Sequence, residues 1–281
     1  MQRACVMLES MTVNVELPSA ESEVVAGVPW GAVEAFPTPA YWAYQVMARR
    51  IEARSIKYKL GKTLREEVGA CLLGGHGIPA SIGLMAYNHL KSKGAFESDA
   101  PDEQDLLEWL SEPMEHEGRS VRYRFAGQKA RYLAAAMRKL SQEPSPDQSG
   151  RALRDWLTSV PGIGYKTASW IARNWLDADD VAILDIHILR AGVLAGFLDP
   201  ELTVERNYLQ LEDQFLKFSV GLGVRASELD AVIWLDMMAS PLTVGATLSA
   251  LPESKFKAKH APSRPRSQRR QPHSDQMALL G

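Results

Sequence analysis

From Pro39 onward, apolar residues recur mostly at helical spacing, and we find no run with the strict alternation that is typical of strands. The pattern predicts helices, separated by turn residues, in eight stretches: 40–60, 63–94 with a glycine-rich break, 102–113, 125–143, 149–160, 165–178, 186–198 and 227–240. No fixed repeat is visible. The sequence therefore predicts an all-α fold.

Both ends of the chain lack this periodicity. Residues 1–27 are acidic and are predicted to be disordered, and nothing before Pro39 reads as a sheet. Residues 252–281 are rich in Pro, Ser and Gln and carry seven Lys/Arg against two Asp/Glu, which predicts a disordered basic tail. The tail would either attract phosphate non-specifically or serve only as a solubilising segment.

Bulk composition gives no sign of a nucleic-acid partner. The 281 residues are 46% hydrophobic and 23% charged, with a formal net charge of −2, as in an ordinary soluble protein. The charge is nevertheless segregated, because residues 97–117 carry nine Asp/Glu and no Lys/Arg whereas 118–139 carry seven Lys/Arg and no Asp/Glu. No apolar run has the length of a membrane span and the start lacks a secretory signal, so we expect a cytoplasmic protein without a membrane partner, nucleoid-associated in a prokaryote.

Cysteine and histidine content limits the cofactors. Cys5 and Cys71 cannot build a disulfide framework, a Cys-rich zinc site or a four-cysteine iron–sulfur site. The histidines lack the spacing of a metal site, so we expect no bound metal of that kind.

The most informative stretch is Leu157-Thr158-Ser159-Val160-Pro161-Gly162-Ile163-Gly164-Tyr165-Lys166-Thr167-Ala168. Two predicted amphipathic helices flank a V-P-G-I-G turn, whose glycines allow positive φ and close approach of the backbone to a ligand. The second helix would point its first N–H groups and the positive end of its dipole at that ligand, which suits a phosphate. An ordinary helical hairpin is the alternative. The predicted DNA contacts here are Gly162, Ile163, Gly164, Lys166 and Thr167.

Nineteen residues after Lys166 stands Asp185, at the head of the string Asp185-Ile186-His187-Ile188-Leu189-Arg190. Because it directly precedes an apolar helical run, its simplest role is that of an N-cap. Alternatively, the helix amides keep the carboxylate ionised so that it faces the lysine across a cleft.

The glycine turn, Lys166 and the D-x-H-x-x-R string together resemble the helix-hairpin-helix DNA glycosylase superfamily. The resemblance implies two helical domains that flank a DNA-binding cleft: a discontinuous domain of residues 28–61 plus 178–251 with the catalytic Asp, and a bundle of residues 62–177 that ends in the hairpin. It makes Lys166 the nucleophile at C1′ of the damaged nucleotide and Asp185 the carboxylate that stabilises the developing positive charge.

Lysine at position 166 is similar to the bifunctional branch of that superfamily. Endonuclease III and the adenine glycosylases commonly carry four cysteines after the catalytic Asp, and this chain has none there. The segment Gly127-Gln128-Lys129-Ala130-Arg131-Tyr132-Leu133 instead resembles a helix start of the 8-oxoguanine glycosylases. From it we predict DNA contacts by Lys129 and Arg131.

The resemblance also suggests residues for the base pocket. Asp230 and Trp234 share a helix face and would read the edge of the flipped base and stack on it, respectively. Asp230 stands where the family carries an amide, and its carboxylate can accept hydrogen bonds from both N1–H and the N2 amine of a guanine-type edge. Trp170, one turn after Lys166, would contact the other face of the base. Core packing is the alternative for both tryptophans.

The glycine-rich break 73–79 lies where the superfamily has its wedge loop. His76 would read the orphan base and Ile78 would wedge apart the base stack. A structural role in the turn is the alternative for His76.

The sequence thus predicts a DNA glycosylase/AP lyase that acts as a monomer on duplex DNA with a damaged base, 8-oxoguanine foremost. No redox cofactor is required, and the resemblance suggests at most a monovalent cation at the hairpin carbonyls. Two alternatives stay open: a glycosylase of the same fold for another damaged or modified base, and a non-catalytic helix-hairpin-helix module.

Overall fold

The computed structural model describes residues 1–52, 58–75, 77–97, 99 and 101–251, so the predicted basic tail at 252–281 lies outside the described residues. Within them lie eleven helices: α1 Pro39–Ile51, α2 Leu64–Leu73, α3 Ala80–Ser92, α4 Glu103–Ser111, α5 Ala126–Gln142, α6 Gly150–Leu157, α7 Tyr165–Leu176, α8 Ile186–Ala195, α9 Val204–Leu222, α10 Ala226–Ala239 and α11 Pro241–Ala250. The predominantly helical fold is as predicted.

Three small antiparallel sheets of two strands each accompany the helices. They are β1 Gln2–Leu8 with β2 Met11–Leu17, β3 Glu23–Val25 with β4 Val28–Pro29, and β5 Met114–His116 with β6 Arg119–Val121. In the first sheet Gln2 lies opposite Leu17 and Leu8 opposite Met11, so β1 and β2 form a hairpin.

The prediction of disorder for residues 1–27 is wrong, because this segment contributes β1, β2 and β3. In β2, buried Val15 and Leu17 alternate with exposed Asn14 and Glu16, which is the period of a half-buried strand. The alternation covers only a few residues of an acidic segment, and for that reason the sequence pattern misses it. Burial of Val15 and Leu17 in an apolar core holds the hairpin in place.

The chain divides into two units. The described part of the first unit is residues 1–52 and 179–251, and that of the second is residues 58–178. The predicted boundaries, 61/62 and 177/178, lie within a few residues of this division. The first unit is discontinuous in sequence and includes the N-terminal strands.

One apolar core fills the first unit. Trp42 of α1, Phe215 and Phe218 of α9 and Leu229 of α10 are fully buried in it. The predicted helices do not include α9 or α11. The backbone of α9 departs from helical geometry at Asn207 (φ −126°, ψ 29°), near the start of the helix, and the buried residues from Tyr208 to Leu222 recur at helical spacing.

None of the helices in the described ranges is by itself long and apolar enough to cross a membrane. Only taken together are α10 and α11 long and apolar enough, and the two are bent by 93° at their junction.

In the second unit, the buried carboxylate of Glu67 joins three elements. Its Oε2 accepts hydrogen bonds from the backbone N–H groups of Leu60 and Gly61, both at 2.7 Å, and its Oε1 accepts one from Asn174 Nδ2 of α7 at 2.8 Å. Burial raises the pKa of Glu67, and the hydrogen bonds from Gly61 and Asn174 oppose that shift. Glu67 thereby holds segment 58–61 and helix α7 against α2.

We expect Glu67→Gln to lower the free energy of unfolding by about 2 kcal/mol or more, although the two side chains have the same shape. Glutamine offers one acceptor oxygen where Glu67 uses two, and its NH₂ group would face N–H donors. Urea denaturation followed by tryptophan fluorescence measures the change. The exposed Glu108→Gln on α4 is the control and should shift the free energy by less than about 0.5 kcal/mol. Equal shifts in the two variants would contradict the role given to Glu67.

Candidate active site

The turn between α6 and α7 has the geometry that its sequence predicts. Ile163 N–H donates to the carbonyl of Val160 at 3.1 Å, and Gly162 has φ +85°. Proline at the second position of a turn and a glycine with positive φ at the third are typical of a type II turn. Val160 and Ile163 are buried and anchor the turn, whereas Gly162 and Gly164 are exposed.

Helix α7 begins at this turn with a glycine as its N-cap. Gly164 is extended (φ −89°, ψ 176°), and a Cβ placed on it would meet nothing within 4 Å. The helix start therefore presents backbone rather than a capping side chain, together with the positive end of the helix dipole. Lys166 is exposed in this first turn, beside Tyr165, and Thr167 is half-buried. This arrangement suits an anion that approaches from solvent.

Helix α5 supports the turn through Tyr132. A Cβ on Gly162 would lie 2.2 Å from Cδ2 of Tyr132, so the tyrosine ring packs directly on the glycine backbone. Gln128 Nε2 donates to the Tyr132 hydroxyl at 3.1 Å. The exposed Arg131 has its guanidinium 5.6 Å from the centre of the same ring. The segment 127–133 and the hairpin thus belong to one local structure.

Lys129 is not positioned as the predicted DNA contact. Its Nζ donates to the carbonyl of Leu72 and, at 3.3 Å, to that of Gly74, at the C-terminal end of α2. The last carbonyls of a helix lack partners within the helix, and an ammonium group satisfies them well. Burial lowers the pKa of Lys129. In this structure Lys129 caps α2, which corrects the prediction; its G-x-K-A-R-Y setting alone does not reveal this role.

The predicted wedge loop is described only in part. Ile78 is 9% exposed, so its side chain packs into the protein and does not project as an intercalating wedge would, which corrects the prediction for this conformation. Its N–H donates to the carbonyl of Gly75 at 3.1 Å. His76 lies outside the described residues. Trp170 is half-buried and approaches this loop, with its Cη2 3.7 Å from the position that a Cβ of Gly74 would take.

Asp185 of the first unit is the N-cap of α8, as the simpler interpretation of the sequence predicts. Its Oδ1 accepts hydrogen bonds from the N–H groups of His187 (2.8 Å) and Ile188 (3.1 Å). Helix amides of this kind stabilise an ionised carboxylate. Burial lowers the pKa of Arg190, and the negative charge of Asp185 opposes that shift. The cap leaves Asp185 half-buried at the start of α8.

Asp230 and Trp234 lie on α10, which is buried almost all round. Asp230 is 3% exposed, and its Oδ2 accepts a hydrogen bond from the N–H of Ile183 at 3.2 Å. Trp234 is half-buried and packs against the apolar core of the first unit. The structure therefore brings Asp230 to the segment that precedes Asp185, a contact that i,i+4 spacing does not indicate.

Comparison with known proteins places these features in a family. Residues 51–224, more than half of the chain, match the family model Ogg-HhH, 8-oxoguanine DNA glycosylase. The chain belongs to this family. The matched range contains the hairpin, Lys166 and Asp185.

Individual relatives of the Ogg-HhH family align with part of the chain. The 8-oxoguanine DNA glycosylase/AP lyase of Methanocaldococcus jannaschii is 32% identical over 44% of this chain and 61% of its own length. The protein of the same name from Aquifex aeolicus is 28% identical over 64% of this chain and 77% of its own length. The chain spans about six tenths of the length of the first curated relatives that it matches.

A solved structure supports the fold. The 8-oxoguanine DNA glycosylase of Thermotoga maritima aligns with 69% of this chain and 94% of its own, with a TM-score of 0.50 and 23% sequence identity. This likeness concerns the arrangement of the backbone only.

Metal ligands are not clustered in the described residues, where no group of three or more His, Cys, Asp or Glu side chains is placed to hold an ion. At the hairpin, the Val160 carbonyl already accepts the Ile163 N–H. A monovalent cation at the hairpin carbonyls stays a prediction.

Gly162→Ala and Gly164→Ala should differ in stability. Alanine at 162 must adopt a positive φ and overlap the Tyr132 ring, so we expect a loss of about 2 kcal/mol or more in the free energy of unfolding. Alanine at 164 meets open space at an ordinary φ, and we expect a change below about 0.5 kcal/mol. Chemical denaturation of the two variants side by side measures the difference. A loss of equal size in both would contradict the contact between Gly162 and Tyr132.

Proposed function

We propose that the chain is a bifunctional DNA glycosylase/AP lyase that excises an oxidised purine, 8-oxoguanine foremost, from duplex DNA. The observation that carries the proposal is the exposed lysine in the first turn of α7, directly after the V-P-G-I-G turn, in a chain of the Ogg-HhH family. The names of the relatives from M. jannaschii and A. aeolicus, both 8-oxoguanine DNA glycosylase/AP lyases, support the same activity.

In the proposed reaction, the nitrogen of the Lys166 amine attacks C1′ of the damaged nucleotide. The glycosidic bond between C1′ and the base breaks, and the base departs with the bonding electrons and takes up the proton that the attacking nitrogen loses. The Asp185 carboxylate, whose Oδ1 accepts from two N–H groups of α8, would stabilise the positive charge that develops on the sugar. Ring opening gives a Schiff base between Lys166 and C1′. Loss of a proton from C2′ then expels the 3′-phosphate, which cuts the strand, and water releases the lysine.

The hairpin would bind the DNA backbone through the start of α7. Gly164 brings no side chain between the helix amides and a phosphate, so the backbone can approach closely. The exposed guanidinium of Arg131 beside the Tyr132 ring offers a further phosphate contact in the same unit. Binding of this kind needs no excess of positive charge over the whole protein, in agreement with the net charge of −2.

We expect Lys166→Gln to abolish covalent trapping of the protein on DNA by borohydride, because reduction captures only the Schiff base. The wild type and the variant are incubated with duplexes that carry 8-oxoguanine, thymine glycol, uracil or an abasic site, and adducts are separated by denaturing electrophoresis. Lys62→Gln, an exposed lysine of the same unit, is the control and should trap like the wild type.

The trapping pattern separates the alternatives. A Lys166-dependent adduct with 8-oxoguanine supports the proposal, and one with another lesion alone indicates a glycosylase for a different base. An adduct with the abasic site alone would support the AP lyase activity but contradict the assignment of 8-oxoguanine as the excised base. Binding without any adduct would favour a non-catalytic helix-hairpin-helix module.

The basic tail should add a salt-dependent contribution to DNA binding. Removing residues 252–281 deletes seven Lys/Arg, so we expect the plot of log affinity against log salt concentration to become shallower by about 0.9 for each phosphate that the tail neutralises. Fluorescence anisotropy with an undamaged duplex, at several salt concentrations, compares the full chain with residues 1–251. An unchanged slope would mean that the tail does not bind DNA.

A further inference from the structure

The segment that leads into Asp185 is buried but has no regular secondary structure. Val181, Ala182 and Leu184 are at most 1% exposed, and residues 182–185 belong to neither a helix nor a strand. Buried backbone N–H and C=O groups need hydrogen-bond partners, and here no ladder supplies them. Side chains must therefore do so.

Three buried side chains pair with this backbone at consecutive residues. Glu212 Oε1 of α9 accepts from the N–H of Ala182 at 3.0 Å, and Asp230 Oδ2 of α10 accepts from that of Ile183 at 3.2 Å. The Tyr208 hydroxyl of α9 donates to the carbonyl of Ala182 at 2.6 Å and accepts from the N–H of Leu184 at 3.2 Å. We call Tyr208, Glu212 and Asp230 the clamp. All three are 5% exposed or less.

The clamp ends one residue before Asp185, and the capping bonds of α8 begin at its side chain. Asp185 is thus fixed from both directions: its backbone follows a segment held by α9 and α10, and its carboxylate is held by the N–H groups of His187 and Ile188. Burying the two clamp carboxylates is costly unless they accept strong hydrogen bonds, and each accepts one from this segment.

We propose that Tyr208, Glu212 and Asp230 are positioning residues, which set the place of the Asp185 carboxylate for the chemistry. The expected effect on the excision rate rests on the proposed function. The effect on the position of Asp185 does not, because it can be measured without any substrate. Displacement of a catalytic group by about 1 Å can slow a reaction by as much as about a hundredfold. The clamp therefore acts on the rate through Asp185.

Tyr208→Phe is the sharpest test, because it removes one hydroxyl and leaves the ring in the core. It takes a hydrogen-bond partner from Ala182 and another from Leu184, the residue next to Asp185. Tyr44→Phe is the matched control: its hydroxyl also donates to a backbone carbonyl, that of Cys5 at 2.7 Å, and it lies in the same unit away from the clamp.

Hydrogen exchange tests the geometry without any substrate. In Tyr208→Phe, we expect the amides of His187 and Ile188 to exchange about tenfold faster or more, because a displaced Asp185 no longer caps them. Peptides from α1 in the same unit are the internal reference, and Tyr44→Phe should leave the α8 amides unchanged. Exchange that is unaltered in α8, or that rises equally in α1 and α8, would overturn the proposal.

A double-mutant cycle tests whether Tyr208 affects the excision rate through Asp185. We expect Tyr208→Phe to slow single-turnover excision of 8-oxoguanine about tenfold or more, with affinity for a duplex carrying a tetrahydrofuran abasic analogue unchanged within about twofold. In an Asp185→Asn background, the same substitution should cost less than about twofold, since it acts through the missing carboxylate. An equal loss in both backgrounds, or no loss in the wild-type background, would overturn the proposal.

A second variant keeps the test decisive. If Tyr208→Phe does not fold, Glu212→Gln takes its place in both experiments, because glutamine keeps one acceptor oxygen for Ala182 and the side-chain volume. We then expect the same pattern with smaller factors, and additivity would again overturn the proposal. If the wild type excises no base from any duplex, the proposed function fails, and the hydrogen-exchange comparison alone decides whether the clamp positions Asp185.

Discussion

Buried carboxylates that accept backbone N–H groups hold the two segments where the chain passes between its units. Glu67 accepts from Leu60 and Gly61 at the first passage, and Glu212 and Asp230 accept from Ala182 and Ile183 at the second. Segments of this kind have no helix or sheet in which to pair their amides, and here side chains supply the partners. A carboxylate is the strongest acceptor that a side chain offers, which offsets the cost of burying it.

Each candidate catalytic residue lies on, or next to, an element that one of these carboxylates contacts. Glu67 also accepts from Asn174 near the end of α7, and Lys166 lies at the start of that helix. Asp185 follows the segment held by Glu212 and Asp230. Long-range contacts within each unit thus fix the helix or segment from which each reactive group projects. The two candidate residues themselves occupy ordinary local positions: Lys166 is exposed in the first turn of α7, and Asp185 is the N-cap of α8.

The sequence predicts the helices with strong periodicity, the V-P-G-I-G turn and the cap at Asp185, because each depends on nearby residues alone. It misses the β1–β2 hairpin, whose alternation is short, and it also misses α9, although the buried residues of that helix recur at helical spacing. It also misassigns Lys129, since the carbonyls that this residue caps lie more than fifty positions away in sequence. The partner of Asp230 is equally remote, and no local pattern encodes it.

The contact of Gly162 with the Tyr132 ring has a consequence for how such a chain can change over time. A side chain at 162 would overlap the Tyr132 ring and would also have to adopt a positive φ, so a smaller residue at 132 would remove only one of these two obstacles. Position 162 should therefore remain glycine among related chains, whatever residue stands at 132, thirty positions earlier in the sequence. The hairpin turn is thus limited by a ring from α5 as well as by its own backbone.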